Sequence, residues 1–561
     1  MAADNSCKET LEDSSQMHCP SKFTGCIWRV AVAAMMANLS GLMLGYEMGL
    51  TSSVLLQLRE RLSLSCQEQE VLVSAHVVGA LFICLAGGPI LDRYGRRCSL
   101  LLSAVLVVLG TLVLISITSL VSLAVGRVIV GMGTCLSGTA ACLYIAEISP
   151  RERRGLLITL YEFMLVLGVM LGFSCSYAFT AVPHGWTFTF GLVIPLAILQ
   201  FGAFMFLPPS PRFLVAQGNV EKARLVLQKM RGGIQEDMEV ELRDIQAGLK
   251  AESEHSFSEL FSSKANLRAR LLTGVALVFL QQATGQPNIL SYASPLLRSM
   301  GFTTDDAATL ASTGFGVVKV VGTIPAVMLV DRVGPKSFLC VGAVVMGLSL
   351  ATLGTLTLQS HTHLTSLCKS HTLDNNTDQM WDLNWTTTEK DNDTFYLDTF
   401  SSTWDTEEAQ RTLKTSQSAL DDQTQTISSP LKWASLVTLL VYVAGFSFSL
   451  GPMVYVVISE IFPMGVRGRA ASVVGAVNWA TNLLISMTFL TVTETVGLPS
   501  MLFLYAGMCF VLLVFVILCV PETKGRTLEE ISKELARKNY FEVRLCTKRH
   551  TQESLMSGAA H

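Results

Sequence analysis

Four charged side chains stand out inside long apolar stretches of the sequence: Glu47, Arg127, Glu162 and Lys319. A charge at the centre of a membrane-spanning helix costs at least about 2.5–3.5 kcal/mol in insertion measurements, so such residues normally pair or line a polar cavity. A buried acid beside an arginine can also respond to a proton, because protonation of the acid releases the arginine. The chemistry indicated is recognition of a polar ligand, or movement of a proton, in apolar surroundings.

Carboxamide side chains accompany these charges in the apolar stretches of the second part of the chain. They are Gln281, Gln282, Asn288, Asn478 and Asn482. Amides that face one cavity can hydrogen-bond the hydroxyl groups of a small molecule from several sides, and aromatic rings can stack on it or close over it. The candidate rings are Tyr292, Tyr455 and Trp479. A structural interpretation stays open, since Asn and Gln often bond across neighbouring helices without a ligand.

The composition indicates a membrane protein, because 50% of the residues are hydrophobic and only 15% are charged. Stretches close to the bilayer-spanning length of about 20 residues recur throughout the chain. We predict about twelve spans, at 27–50, 71–91, 99–120, 123–146, 155–178, 186–207, 269–293, 306–330, 337–358, 432–458, 468–492 and 498–520. Buried helices of a soluble enzyme are the alternative, but such helices carry one apolar stripe, whereas these are apolar nearly all round. The predicted class is therefore all-α and membrane-spanning.

Three short phrases occur once in each half of the chain. The pairs are 92–97 with 331–336, 147–155 with 460–468, and 208–212 with 521–525. The first pair is 239 positions apart and the other two are 313 apart, so the second half carries an insertion of 74 residues between its first and second phrases. A duplicated membrane chain is typical of transporters that are built from two parallel halves.

Arg and Lys crowd the turns on one side of the predicted bundle, whereas the turns at 179–185 and 493–498 have almost none. The basic segments are 92–97, 151–154, 212–231, 332–336, 467–469 and the tail after 521. The positive-inside rule predicts that these turns and both termini are cytoplasmic. The first 25 residues lack the pattern of a removable signal peptide.

The predicted organisation has five segments. They are a cytoplasmic N-terminal segment (1–26), a six-helix half (27–207), a cytoplasmic linker (208–268), a second six-helix half (269–520) and a cytoplasmic tail (521–561). We predict short amphipathic helices in the linker, at about 221–231 and 236–249, and one short helix in the tail.

A polar loop at 359–431 accounts for the insertion, and the charge pattern predicts that it is extracellular. It carries three N-glycosylation sequons, at Asn375, Asn384 and Asn392, of which we expect at least one to be used. Cys66 and Cys368 are predicted on the same side. A disulfide between them is one option that spacing cannot establish. The default interpretation of the other cysteines is as small hydrophobic residues.

The phrases, taken in order, resemble the sugar-porter branch of the major facilitator superfamily, which includes the facilitative glucose transporters. The matching residues are Asp92–Arg97, Glu147–Gly155, Pro209–Arg212, Gln281–Gln282 and Pro521–Gly525. Gly45–Glu47 and the long loop are most similar to class III of these transporters. The resemblance implies a major facilitator fold with two pseudo-symmetric six-helix halves, transport of a hexose by alternating access, and no cofactor.

The resemblance also implies roles for particular residues. Arginines of the basic turns would pair with acids at neighbouring helix ends and close a cytoplasmic gate, although these turns could serve only as topology signals. The implied gate residues are Asp92, Arg93, Arg97, Glu147, Arg154, Arg212, Asp331, Arg332, Glu460 and Arg467. Family sugar contacts fall on Gln281, Gln282 and Asn478. The whole candidate binding site is Gln281, Gln282, Asn288, Asn478, Glu162, Lys319, Tyr455 and Trp479.

Several of these positions depart from the family pattern. Glu162 and Lys319 replace a Gln and an Asn, Asn288 is shifted along its helix, and Tyr455 stands where the family has Trp. We hypothesise that Glu162 and Lys319 compensate each other, because an unpaired charge there would be costly. The differences leave the identity of the sugar open.

Glu47 and Arg127 fall where bacterial proton–sugar symporters carry an acid–arginine pair. They form either a proton switch or a permanently ionised structural pair. The leading interpretation is accordingly a facilitative uniporter, and the second is a proton-coupled symporter.

A sugar sensor without net flux would need a longer cytoplasmic extension than the chain has. A membrane enzyme lacks support, since the sequence has no HExxH motif or P-loop, and no metal site is expected. The predicted partners are a hexose, the lipid bilayer and, in the second interpretation, a proton. No nucleic acid is expected, and a monomer would suffice.

Overall fold

The computed structural model describes residues 20–150, 154–231, 235–254, 257–262, 266–302, 304–359, 429–463, 466–524 and 528–535, all of them in helices and their connections. The first half contains α1 (Pro20–Leu62), α2 (Cys66–Ser116), α3 (Leu120–Ile148), α4 (Arg154–Ala178), α5 (Gly185–Gly191) and α6 (Val193–Phe206). The linker contains α7 (Pro211–Ala216), α8 (Val220–Arg231), α9 (Gln235–Glu254) and a 3₁₀ turn (Phe257–Phe261). The second half contains α10 (Leu267–Ala283), α11 (Gln286–Ser291), α12 (Ala293–Ser299), α13 (Asp305–Val333), α14 (Pro335–Gln359), α15 (Ser429–Phe448), α16 (Leu450–Ile461), α17 (Arg467–Val496) and α18 (Leu498–Cys519), followed by α19 (Leu528–Leu535).

Twelve spans follow from these helices. Ten described helical stretches are long and apolar enough to cross a membrane. One of them, α2, reverses its direction at Gly95 and supplies two crossings. The three short helices α10, α11 and α12 together supply one more, which gives the predicted number.

The internal duplication is visible in the geometry of the basic turns. Gly95 and Gly334, which are 239 positions apart, have φ angles of 79° and 91°. Both lie in the left-handed region that glycine adopts without steric cost. Arg97 donates to the carbonyl oxygen of Phe204 at 2.9 Å, and Lys336, again 239 positions later, donates to that of Ile517 at 3.1 Å. Each half thus closes its turn onto the end of its own last span.

The two halves meet along two pairs of helices. Helix α2 packs against α17, and α4 packs against α13, while α1 also touches α11 and α12. Within the first half, α1 and α4 lie so close that a side chain at Gly45 would collide with the backbone of Leu165. Glu47, Glu162, Asn288, Lys319 and Asn478 lie on these contacting helices, and part of the candidate site is therefore at the interface between the halves.

Two spans of the second half are divided where we expected continuous helices. The span predicted at 269–293 is broken after Ala283 by Gly285, whose φ is 90°, and it extends to Ser299. The span predicted at 432–458 is broken at Ser449, which has φ −123° and ψ −77°. A proline follows each break, at Pro287 and Pro452, and proline cannot donate its backbone nitrogen to a continuous helical ladder.

The linker and the tail contain short helices. Helix α8 contacts α9, and the Arg224 Nε donates to Glu239 Oε1 at 2.6 Å. Hydrogen bonds to Glu239 and Glu221 raise the pKa of this arginine. The linker therefore folds into a small unit with its own contacts beside the basic ends of the spans.

Candidate functional site

A group of amides lines the inner side of the second half. The Gln282 side-chain nitrogen donates to the side-chain oxygen (Oδ1) of Asn478, and this bond joins α10 to α17. Gln281, its neighbour, donates to the Leu450 carbonyl oxygen at 2.8 Å, at the break between α15 and α16. The Gln281 oxygen has no hydrogen-bond partner among the described residues. The group therefore combines amides held by the protein with an unused acceptor.

Asn288 and Tyr292 are turned into the second half instead. The Asn288 nitrogen donates to the Tyr505 hydroxyl at 2.8 Å and to the Ile485 carbonyl oxygen at 3.2 Å. The Tyr292 hydroxyl donates to the Ser486 carbonyl oxygen, and its ring lies 5.1 Å from that of Phe489. Both side chains are fully buried. These contacts fit the structural interpretation of amides and aromatics as links between helices.

Glu162 on α4 and Lys319 on α13 approach each other across the interface between the halves. The two charges interact electrostatically, yet within the described part of the chain no direct ion pair joins them. The Lys319 ammonium lies 5.6 Å from the centre of the Phe446 ring. The compensation of these two charges stays a prediction.

Tyr455 and Trp479 border the same region. Tyr455 interacts with Glu162 but keeps 51% of its surface exposed, which indicates an open space between the halves at this level. Trp479, although it belongs to α17, packs partly buried against the apolar cluster of the first half that includes Leu136 and Tyr144.

The second group of buried charges lies inside the first half. Glu47 and Arg127 are 1% and 3% exposed. They interact electrostatically, but Arg127 donates to the Thr51 hydroxyl at 2.8 Å, and neither Glu47 oxygen has a hydrogen-bond partner among the described residues. Glu47 and Arg127 therefore do not form the expected direct contact in this structure.

His76 on α2 completes this group and was not among the residues proposed from the sequence. It is 5% exposed, interacts electrostatically with Arg127, and has no hydrogen-bond partner at either ring nitrogen among the described residues. An ionisable side chain in a predicted span is itself a signal of function. That signal could have identified His76 within the span predicted at 71–91.

The halves are closed against each other at the end of the bundle opposite the basic turns. Glu70 at the start of α2 accepts hydrogen bonds from the Thr491 backbone nitrogen and hydroxyl at 2.8 and 2.7 Å. Ser52 and Ser53 on α1 contact the Ser294 hydroxyl on α12 at 3.2 and 3.1 Å. We call these two contacts the far-side closure.

At the basic end, the acid of the first half is held by an arginine other than those we named. Arg96 contacts Glu147 at 3.1 Å and Asp92 at 3.7 Å, and the Ser210 hydroxyl also donates to Glu147. Arg97 instead donates to helix carbonyls, and Arg93 lies 5.9 Å from the centre of the Tyr94 ring. Arg96 was not among the gate residues proposed from the sequence, and the roles of Arg93 and Arg97 in a gate stay a prediction. The positive φ at Gly95 turns the chain, and the direction of each following arginine depends on that turn.

The other proposed gate residues have varied surroundings. Arg212 interacts electrostatically with Glu147, and Arg467 interacts with Glu460 while donating to the Phe462 carbonyl oxygen at 3.2 Å. Arg332 is exposed. The side chains of Arg154 and Asp331 lie outside the described part of the chain.

The predicted features of the long loop also lie outside the described residues. These are the sequons at Asn375, Asn384 and Asn392, together with Cys368. Cys66 is disulfide-bonded. Its pairing with Cys368 stays a prediction.

Comparison with known proteins assigns the chain to a family. The family described as "Sugar (and other) transporter" matches residues 33–370 and 418–535. The chain belongs to this sugar transporter family. Facilitated glucose transporter member 12 of Danio rerio is 52% identical over 93% of this chain and 90% of its own length, and the Homo sapiens protein of that name is 46% identical over 97% and 91%. Member 10 of Xenopus laevis is 36% identical over 92% and 95%.

Solved sugar transporter structures share the fold. The xylose transporter XylE of E. coli in a partially occluded inward-open conformation superimposes with a TM-score of 0.67 at 23% identity, over 89% of this chain and all of that one. A structure of the proton:xylose symporter XylE bound to 6-bromo-6-deoxy-D-glucose gives 0.66 at 23% identity, over 91% and 99%. The chain thus has the major facilitator fold, in agreement with the prediction. It is a multi-pass membrane transporter and not an enzyme.

Proposed function

We propose that this sugar transporter is a facilitative hexose carrier, in which the sugar binds near the membrane midplane between halves that rock around it. The curated relatives at 45–52% identity are named facilitated glucose transporters. The observation that carries the proposal is the Gln282–Asn478 pair. Its remaining amide atoms, the Gln282 oxygen and the Asn478 nitrogen, make no other hydrogen bond among the described residues. One acceptor and one donor side by side match a sugar hydroxyl, which both donates and accepts.

Gln281, Glu162 and Lys319 would complete the sugar site from three sides. The unused Gln281 oxygen adds an acceptor. Glu162 and Lys319, which form no direct ion pair among the described residues, would contact the ligand from the two sides of the interface. Tyr455, half exposed beside Glu162, would cover the ligand from the basic side. In our proposal Asn288 and Trp479 support the site from behind.

We assign the basic turns and both termini to the cytoplasm by the positive-inside rule. The far-side closure is then extracellular, and the structure corresponds to a state that opens inward. The residues Asp92, Arg96, Glu147, Arg212, Glu460 and Arg467 would form the gate that closes when the carrier faces outward. The loop at 359–431 would carry the glycans and the partner of Cys66.

Counterflow of labelled hexose in proteoliposomes tests this proposal. A panel of hexoses and pentoses is supplied at equal pH on both sides, with Gln282→Leu as the variant and Thr488→Val as the matched control on α17. The hydroxyl of Thr488 donates to its own helix at 2.9 Å and touches no proposed site residue. Exchange of a hexose that is lost in Gln282→Leu supports the carrier; an absence of exchange with every sugar contradicts it.

Proton-coupled symport is the second candidate, and the separation of Glu47 from Arg127 favours it. An ionised carboxylate without any hydrogen bond in a buried site is costly. Arg127 would then contact Thr51 when Glu47 is protonated, as in this structure, and would contact Glu47 when that carboxylate is ionised.

Uptake driven by a pH gradient distinguishes the two transport modes. A symporter accumulates sugar above its external concentration when the outside is acidic, and Glu47→Gln abolishes that accumulation while retaining exchange. If wild type and Glu47→Gln respond identically to the gradient, the uniport mode stands and the proton switch is excluded.

A further inference from the structure

The cluster of Glu47, Arg127 and His76 contains more hydrogen-bonding capacity than it uses. The Arg127 guanidinium has five donors, but its Nε has no partner, and neither do the Glu47 oxygens or the His76 nitrogens among the described residues. All three side chains are at least 95% buried. Most buried polar groups in proteins have a hydrogen-bond partner. Unpaired groups in this cluster are therefore consistent with side chains that exchange hydrogen-bond partners between states.

His76 stands where it can serve as one of those partners. Gly131 on α3 lies directly against the backbone of His76 on α2, and any side chain at Gly131 would collide with the His76 carbonyl. Arg127 lies one helical turn before Gly131 on the same helix, so it is close to the point where α3 meets His76. Their electrostatic interaction agrees with that placement.

A neutral imidazole has the chemistry that this position requires. One ring nitrogen accepts a hydrogen bond and the other donates one. His76 can therefore accept a hydrogen bond from the Arg127 guanidinium at one ring nitrogen and donate one from the other. Thr51, the present partner of Arg127, offers a single hydroxyl that itself donates to the Glu47 carbonyl oxygen at 2.6 Å.

We propose that His76 is a positioning residue of the transport cycle, which receives the Arg127 guanidinium when that group leaves Thr51. Arg127 then alternates between Thr51 in the state described here and His76 in a state with the far-side closure open. The arginine keeps a hydrogen-bond partner throughout, whatever the protonation of Glu47. This proposal rests on the proposed carrier cycle but not on the identity of the sugar.

Substitutions at the two alternating partners have opposite effects under this proposal. His76→Leu removes the second partner and holds the protein in the state described here. Thr51→Val removes the first partner and favours the other state. His76→Gln keeps an acceptor and a donor and should restore function, which a residue that only fills space would not require.

The experiment measures the far-side closure directly, through the labelling rate of a Ser294→Cys thiol by a membrane-impermeant maleimide added from outside. The protein is the full chain in cells, and the labelling of the same chain without Ser294→Cys is subtracted. We expect His76→Leu to slow labelling about tenfold, Thr51→Val to accelerate it about tenfold, and His76→Gln to remain within about twofold of wild type, since each lost hydrogen bond shifts a two-state equilibrium by roughly that factor. Ser74→Ala is the matched control on α2, because the Ser74 hydroxyl bonds only to its own helix.

Two results overturn the proposal: equal labelling in His76→Leu and wild type, or equal impairment in His76→Leu and His76→Gln. Counterflow of hexose is measured on the same variants. Because the labelling needs no sugar, a failure of wild type to exchange hexose would contradict the carrier proposal, and the labelling would still decide the role of His76.

Discussion

Gln282 and Asn478 lie 196 positions apart in the chain, yet their side-chain amides share a hydrogen bond. The bond fixes the orientation of both amides, because the Gln282 nitrogen and the Asn478 oxygen are engaged and the other two atoms remain available. Each residue therefore prepares its neighbour for a ligand. Neither amide needs to reorient when a hydroxyl group arrives, and such preorganisation lowers the cost of binding.

The first prediction concerns this pair. Gln282→Ala or Asn478→Ala should each lower sugar affinity about ten- to a hundredfold, because loss of a buried hydrogen-bond partner costs about 1–3 kcal/mol. The double variant should lose less than the sum, since the two residues share one interaction. Binding is measured by calorimetry on purified protein. Strict additivity would show that the two amides act independently.

The second prediction concerns Glu70 and Thr491. Thr491→Val removes the hydroxyl donor to Glu70, and hydrogen bonds to charged groups contribute about 1.5–3 kcal/mol, so the far-side closure should open about ten- to a hundredfold more often. The labelling of a Ser294→Cys thiol measures the opening. Thr495→Val is the control, since its hydroxyl donates to its own helix at 2.9 Å. Unchanged labelling in Thr491→Val would mean that this contact does not hold the closure.

The third prediction concerns Glu162 and Lys319. Either Glu162→Gln or Lys319→Asn leaves one charge within the bundle without its counterpart. Breaking a fully buried ion pair costs about 3–5 kcal/mol, and the partial exposure of Glu162 and the lack of a direct contact reduce this. The double neutral variant should recover most of the lost expression and exchange rate. Comparison of the four proteins by counterflow and thermal unfolding measures the coupling. A double variant that is as impaired as the two losses combined would end the compensation hypothesis.

The fourth prediction separates the arginines of the first basic turn. Arg96→Ala should lower the melting temperature more than Arg93→Ala, because Arg96 reaches the buried Glu147, whereas Arg93 is exposed. Breaking a buried ion pair costs up to about 3–5 kcal/mol, and the partial exposure of Arg96 reduces this. Thermal unfolding in detergent gives the comparison. Equal melting temperatures would place the stabilising contact elsewhere.

The fold was predictable because duplication leaves a record in the sequence. The offset of 239 between the repeated turns recurs in the structure as Gly95 with Gly334 and Arg97 with Lys336. Backbone reversals that need glycine, and cations that close helix ends, are local requirements. They appear at the same position in each copy.

The details of the site were harder to predict from the sequence, because they depend on the orientation of side chains. Arg96 and Arg97 are adjacent in the sequence, and only the direction of the chain after Gly95 decides which of them meets Glu147. Glu70 stands just before the span predicted at 71–91 and was not among the residues proposed from the sequence. Its role depends on Thr491, which lies 421 positions away. His76 could have been found, since it is an ionisable residue within an apolar stretch.

The breaks at Gly285 and Ser449 have a kinetic consequence. Each separates a short helix from the span to which it belongs, and a short helix can tilt about such a joint without displacing the rest of its half. Trapping of a ligand and its passage to the other face of the membrane are then separate events with separate barriers. We expect a bound ligand to become enclosed and released again on the same side many times for each complete crossing.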